Sequence, residues 1–159
     1  MIFTVGYMTR EPVPDRRHTW RQKAHIIDSN SGVHTLYVDF GEYHDGRLAE
    51  VFVTMHKIGT TLRGALDSMA RSISLALQSG TSPLEMAKML RGQDYPPQGK
   101  VEAEGSTVTE CTSIADYIGQ EIEARYGEDG KKIVIEPHLP QSPADRTAGY
   151  KPDDWRSGV

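Results

Sequence analysis

The spacing of apolar residues changes period part-way along the chain. Residues 19–27, 33–41 and 47–56 are rich in Thr, Val, Ile, Tyr, Phe and Trp, and their apolar positions alternate with polar ones. That is the pattern of half-buried strands. Asp28-Ser29-Asn30-Ser31-Gly32 fills the first gap and His44-Asp45-Gly46 the second. Asp-Gly is a strong hairpin signal because glycine accepts positive φ. The three segments predict an antiparallel meander. Residues 2–7 and 132–136 are candidates for further edge strands, which would bring the sheet to five. Parity then sorts the side chains. Trp20, Ala24 and Ile26, then Leu36, Val38 and Phe40, then Ala49, Val51, Val53 and Met55 share an oily face. The opposite face carries Arg21, Lys23, His25, Thr35, Tyr37, Asp39, Glu50, Phe52, Thr54 and His56.

After Gly59 the period is helical. Leu62, Ala65, Leu66, Met69, Ala70, Ile73, Ala76 and Leu77 recur at i, i+3, i+4 and i+7, one stripe of an amphipathic helix. Asp67 and Arg71 are spaced for an i,i+4 ion pair, and Gly80 ends the element. Ser82-Pro83-Leu84-Glu85 reads as a capping box with proline in the first turn, opening a second helix that runs to about Arg91. Residues 93–110 read as a loop. A third helix opens at Thr112 or Ser113, capped by Ser113 with Asp116, carries Ile114, Ile118 and Ile122, and closes at Gly127. The expected fold class is α+β: a small antiparallel meander of three strands, up to five with the edges, followed by three helices on its oily face. The expected division is a domain over residues 1–127 and a C-terminal arm over 128–159. The stretch 137–159 holds four of the nine prolines.

Composition narrows the chemistry. The chain has 159 residues, a net charge of −4 and one cysteine, Cys111. An internal disulfide framework and Cys-rich zinc or iron–sulfur sites are excluded. The charge is unevenly placed: residues 1–63 sum to +1 and the remainder to −5. The whole chain is therefore no basic cradle, but the sheet region is free to meet a phosphate. No apolar run suits a signal peptide or a bilayer span. A soluble, cytoplasmic protein without a membrane partner is expected, with an origin in a virus within a host cytoplasm as one setting.

Four stretches together form a familiar order. They are Pro14-Asp15-Arg16-Arg17-His18-Thr19-Trp20-Arg21-Gln22-Lys23, Gly41-Glu42-Tyr43-His44-Asp45-Gly46-Arg47-Leu48-Ala49-Glu50, Met55-His56-Lys57-Ile58-Gly59 and Thr112-Ser113-Ile114-Ala115-Asp116-Tyr117-Ile118. Over residues 12–126 the chain resembles the TSCPD domain found at the C-terminal end of adenosylcobalamin-dependent (class II) ribonucleotide reductases, and also as small stand-alone proteins. The resemblance implies an accessory role, with the large subunit of a class II reductase as a candidate partner. It does not imply a complete reductase. One cysteine cannot supply both a thiyl radical and a redox pair, and nothing here resembles a catalytic barrel.

The densest basic cluster is Arg16, Arg17, His18, Arg21 and Lys23. Parity sets Tyr37 and Phe52 on the sheet face that holds Arg21 and Lys23. Cations beside exposed aromatics suit a nucleotide, a nucleotide-like signal or a phosphate backbone, since phosphates need charge and bases need a π-face. Arg47 and Glu50 join this candidate ligand-binding set, with Arg47 also spaced to pair with Glu42 or Glu50. The bland alternative is a solvated strand end balanced by Asp15, Asp39 and Glu50. His25, His34, His44 and His56 lack metal-ligand spacing, so no metal or cofactor is expected. Cys111 precedes a helix N-terminus, which lowers a thiol pKa, but no base accompanies it. The expected function is a non-catalytic binding or accessory module, most simply a homo-oligomer, with small-molecule binding favoured over nucleic acid. The alternatives are a viral protein sequestering a nucleotide-derived signal, a structural dimerisation module, and an enzyme using Cys111 or a histidine.

Overall fold

A computed structural model describes residues 9–56, 59–127 and 130–131. The meander is present as β1 (His18–Asp28), β2 (Gly32–Glu42) and β3 (Leu48–Met55), followed by α1 (Thr60–Gln78) and α2 (Pro83–Leu90). Two further strands, β4 (Gly99–Glu102) and β5 (Glu110–Cys111), come before α3 (Ile114–Arg125). The five strands form one antiparallel sheet in the order β3-β2-β1-β4-β5. The chain is α+β as expected, but the fourth and fifth strands lie inside the stretch read as a loop. The two segments expected as edge strands, 2–7 and 132–136, lie outside the described residues, as does nearly all of the 128–159 arm.

The turns follow from local chemistry. The buried Asp28 carboxylate accepts from the backbone N–H of Asn30 (2.8 Å) and Ser31 (3.2 Å), and Gly32 takes φ +85°. The same carboxylate accepts from Gln98 N–H at 3.0 Å and so ties the start of β4 to the end of β1. These donors, Asn30 first, hold the Asp28 carboxyl below its usual range. Gly99 completes the junction. Its φ is +130°, and a Cβ there would lie 2.4 Å from the Ile27 carbonyl oxygen, so no other residue fits.

Parity holds through the meander. Ala24, Ile26, Leu36, Val38, Phe40 and Val51 are fully buried on one face, and Leu66, Ala70, Ile73 and Leu77 of α1 cover them together with Ile114, Ile118 and Ile122 of α3. The Ser82–Glu85 capping box and the Ser113 cap form as predicted, and Asp67 pairs with Arg71 at 2.9 Å. Helix α3 stops at Tyr126 in extended conformation, one residue before the glycine expected to close it.

Helix α1 also closes the outer edge of the sheet. Ser74 Oγ accepts from Val51 N–H (2.9 Å) and faces the Val51 carbonyl (3.2 Å), while Gln78 Nε2 donates to the Ala49 carbonyl at 3.0 Å. An edge strand left open is a template for unwanted pairing. These two polar side chains cover β3 there.

Candidate functional site

The face of the meander away from the helices is a ladder of polar and aromatic side chains. Cross-strand register places Arg21 opposite Asp39 and Asp39 opposite Phe52. It places Lys23 opposite Tyr37 and Tyr37 opposite Thr54. Arg21 is bidentate on Asp39, with Nε and Nη2 at 2.6 and 2.8 Å. That carboxylate raises the Arg21 pKa above its ordinary value. The guanidinium carbon stands 5.7 Å from the Tyr37 ring centre, and the Tyr37 ring meets His56 edge-on at 5.4 Å. His25 Nδ1 is 2.9 Å from Thr35 Oγ1. Phe52 is 45% exposed and so presents an aromatic face to solvent on which a base can stack. Lys23 is exposed, and its ammonium has no hydrogen-bond or ion-pair partner among the described residues.

Arg17 closes one end of this face. Its Nε pairs with Glu50, and its Nη1 donates to the Pro14 carbonyl at 3.0 Å. Glu50 packs down on Gly41, where a Cβ would lie 2.6 Å from Glu50 Cγ. Arg16 is exposed at the strand entry and has no ion-pair partner among the described residues. Among the described residues three recesses border the ladder. One, of about 450 Å³, is lined by Glu50 and Phe52 with Asp67 and Arg71 of α1. A second, of about 500 Å³, lies where β4 diverges from β1 and is lined by Arg21, Lys23, His25 and Glu104. The third, of about 710 Å³, lies between the end of β3 and the start of α1 and is lined by Thr54, His56, Thr60 and Arg63.

The expected set is thus divided. Arg17, Arg21, Lys23, Tyr37, Glu50 and Phe52 come together on or at the end of one face. His18 does not: it shares the parity of Trp20 and meets Glu42 across the strands, Nδ1 to Oε2 at 3.0 Å. Arg47 is elsewhere too. It pairs with Glu11 (2.8 Å) and Asp45 (2.7 Å) and stacks 4.7 Å from the Tyr43 ring centre, not with Glu42 or Glu50. Glu42 lies under the sheet by its parity with Phe40, and Arg47, beyond the register shift at Gly41/Glu42, sits on the hairpin tip beside Asp45.

A buried polar system on the oily side was not singled out from the sequence. Glu42 Oε1 accepts from Trp20 Nε1 (3.1 Å) and from the Tyr126 hydroxyl (2.9 Å). Arg125 lies 3.9 Å over the Trp20 ring, donates to Gln22 Oε1 at 2.7 Å, and pairs with the buried Glu121 at 3.0 Å. The signal was present: Gln22 and Glu42 carry the parity of the oily residues on β1 and β2. With its polar groups so engaged with one another, the system anchors α3 to the sheet.

Cys111 is buried, and that burial, followed by Asp116, pushes its thiol up to about 11. The helix N-terminus does not lower it as the sequence suggested, because desolvation of a thiolate outweighs a partial dipole charge. Among the described residues no three His, Cys, Asp or Glu side chains are grouped to hold a metal, and no helix is long and apolar enough to cross a membrane.

Comparison with known proteins places these features in a lineage. The family model for the TSCPD domain matches residues 7–126. The chain is 38% identical over 117 residues to a vitamin B12-dependent ribonucleotide reductase of Bradyrhizobium diazoefficiens and 35% identical over 117 residues to that of Agrobacterium fabrum. Each match covers 74% of this chain and 9% of the relative. A reductase of the same name from Rhodopirellula baltica is 33% identical over 112 residues, 70% of this chain and 10% of the relative. The chain therefore spans about a tenth of the length of these relatives, and it does not match the rest of the reductase. No solved structure matches it.

Proposed function

The chain belongs to the TSCPD domain family, and from that premise we propose that it is a non-catalytic binding module whose ligand is a nucleotide or nucleotide-like phosphate, held on the polar face of the meander. The observation that carries this reading is a cation without a partner among the described residues next to aromatic rings on one face: Lys23 beside Tyr37, and the exposed Phe52 one strand further. Lys23 supplies charge for a phosphate. Phe52 and Tyr37 supply surfaces on which a base stacks. Arg21 and Arg17 are held by Asp39 and Glu50, so they present fixed N–H groups rather than free charge.

Calorimetric titration with nucleoside mono-, di- and triphosphates and cyclic nucleotides tests this. Lys23→Ala is expected to weaken binding by about 1.5–3 kcal/mol, the value of a charge-assisted contact, and Phe52→Ala by about 1–3 kcal/mol, the value of one base–aromatic stack. Binding that is unchanged in both variants removes the face from the account.

A second reading has its own support: the relatives carry this domain within a reductase chain. On that reading the module acts on the large subunit of a vitamin B12-dependent reductase in trans. Co-elution of the chain with such a subunit, and a change in the subunit's turnover on addition, is the result expected. No association at micromolar concentrations would remove it.

A further inference from the structure

Among the described residues, no strand pairs with one edge of β1 along the half that β4 does not reach. The direction of each backbone group follows from Ser74. Its hydroxyl meets Val51 N–H and C=O, so Val51 points its polar groups away from β2. Phe40, opposite Val51, then points its own toward β1, and Trp20 returns them. The odd-numbered neighbours Thr19, Arg21 and Lys23 therefore face the other way, toward the position of β4. That strand pairs only with His25, Ile26 and Ile27. Beyond it the Gln22 amide bridges the gap, donating to the Lys23 and Glu104 carbonyls at 3.0 and 2.9 Å. Thr19 N–H and C=O, Arg21 N–H and C=O, and Lys23 N–H have no partner among the described residues. All three residues are exposed. At the β3 edge, by contrast, Ser74 and Gln78 engage the outward groups of Val51 and Ala49.

We infer that this edge takes an added strand: an extended peptide segment of a partner, about five or six residues long, with acidic and apolar side chains alternating. Main-chain hydrogen bonds to Arg21 and its neighbours provide the attachment, and flanking side chains provide the selection. A residue facing Arg21 across the new pair puts its side chain on the polar face beside Lys23, which lacks an ion-pair partner among the described residues; a carboxylate fits there. The residues between put theirs on the other side, toward the aliphatic stem of Arg125, which suits an apolar group. The inference goes beyond the nucleotide reading and stands without it, because the attachment is backbone and the partner carries no phosphate.

The probe is an acetylated, amidated peptide of alternating Glu and Val, followed by fluorescence anisotropy and by amide hydrogen exchange. In the free protein, Thr19, Arg21 and Lys23 amides exchange fast while Trp20 and Ala24 are protected by β2. The peptide is expected to bind, and to slow exchange at Arg21 and Lys23 by about tenfold or more. Methylating the Glu backbone nitrogens, which face β1, weakens binding about tenfold or more. Methylating the Val nitrogens, which face solvent, changes it less than about threefold. A Lys-for-Glu peptide, and the Lys23→Glu variant with an unchanged melting temperature, each lose about tenfold. No binding at millimolar peptide, equal sensitivity to the two methylations, or protection elsewhere in the protein overturns the inference. Failure of every nucleotide to bind leaves it intact.

Discussion

Replacing Ser74 by alanine isolates the contact that closes the β3 edge. Ser74 is half-buried on α1, and its hydroxyl has three backbone neighbours: Val51 N–H at 2.9 Å, Val51 C=O at 3.2 Å and Ala70 C=O at 2.9 Å. A hydroxyl has one proton, so it accepts from Val51 N–H and shares that proton between the two carbonyls. Removing it leaves the N–H of a fully buried residue without an acceptor, which costs about 1–3 kcal/mol. The gain in helix propensity from serine to alanine returns about 0.5 kcal/mol. The net loss is about 1–2 kcal/mol. Ser72 is the control. It lies on the same helix, is exposed, and donates only to the Ser68 carbonyl at 2.9 Å, so Ser72→Ala is neutral or stabilising by about 0.5 kcal/mol. Urea unfolding reads both variants, with the slope m unchanged if only stability moves. Exchange at the Val51 amide should rise in Ser74→Ala alone. Equal stability of the two variants would refute the edge-clamp argument.

Other expectations follow from the same geometry. Glu42→Ala removes the acceptor of Trp20, Tyr126 and His18 at once and should cost about 2–4 kcal/mol by thermal or urea unfolding, with Glu42→Gln costing less. Gly99→Ala drives a Cβ against the Ile27 carbonyl and should cost more than about 2 kcal/mol, with lost exchange protection centred on β4. Cys111 should resist alkylation at pH 8 until urea unfolds the chain. Its folded pKa is raised to about 11 by burial. The neutral thiol is thus the form that folding favours, so its contribution is intact at neutral pH and is lost as pH rises from the ordinary thiol value toward 11. Cys111→Ala should lack that alkaline decline.

Much of the fold was legible because it is local. The meander strands end within a residue or two of their predicted limits, since alternation and the Asp28–Gly32 and Asp45-Gly46 turns define them. The Ser82–Glu85 box and the Ser113 cap are likewise short-range signals. Strands β4 and β5 were not legible. Gly99–Glu102 is four residues between glycine and proline turns and β5 is two residues, too short for periodicity, and both are strands only because β1 and Asp28 receive them. The candidate site divides the same way. Parity placed Arg21, Lys23, Tyr37 and Phe52 on one face. The alternative of a strand end balanced by acids named Asp39 and Glu50, which hold Arg21 and Arg17; the Arg47–Glu11 pair was not readable, because it depends on where a distant segment folds back. His18 and Gln22 were readable and missed: both share the parity of Trp20.

The most direct test of the central claim is a two-dimensional amide NMR titration of the folded chain with the nucleotide that stabilises it most. Shifts are expected to concentrate at Arg21, Lys23, Tyr37, Phe52 and Thr54, and to be lost in Lys23→Ala. Shifts confined to α1 and α2, or none with any nucleotide at millimolar concentration, would contradict that claim.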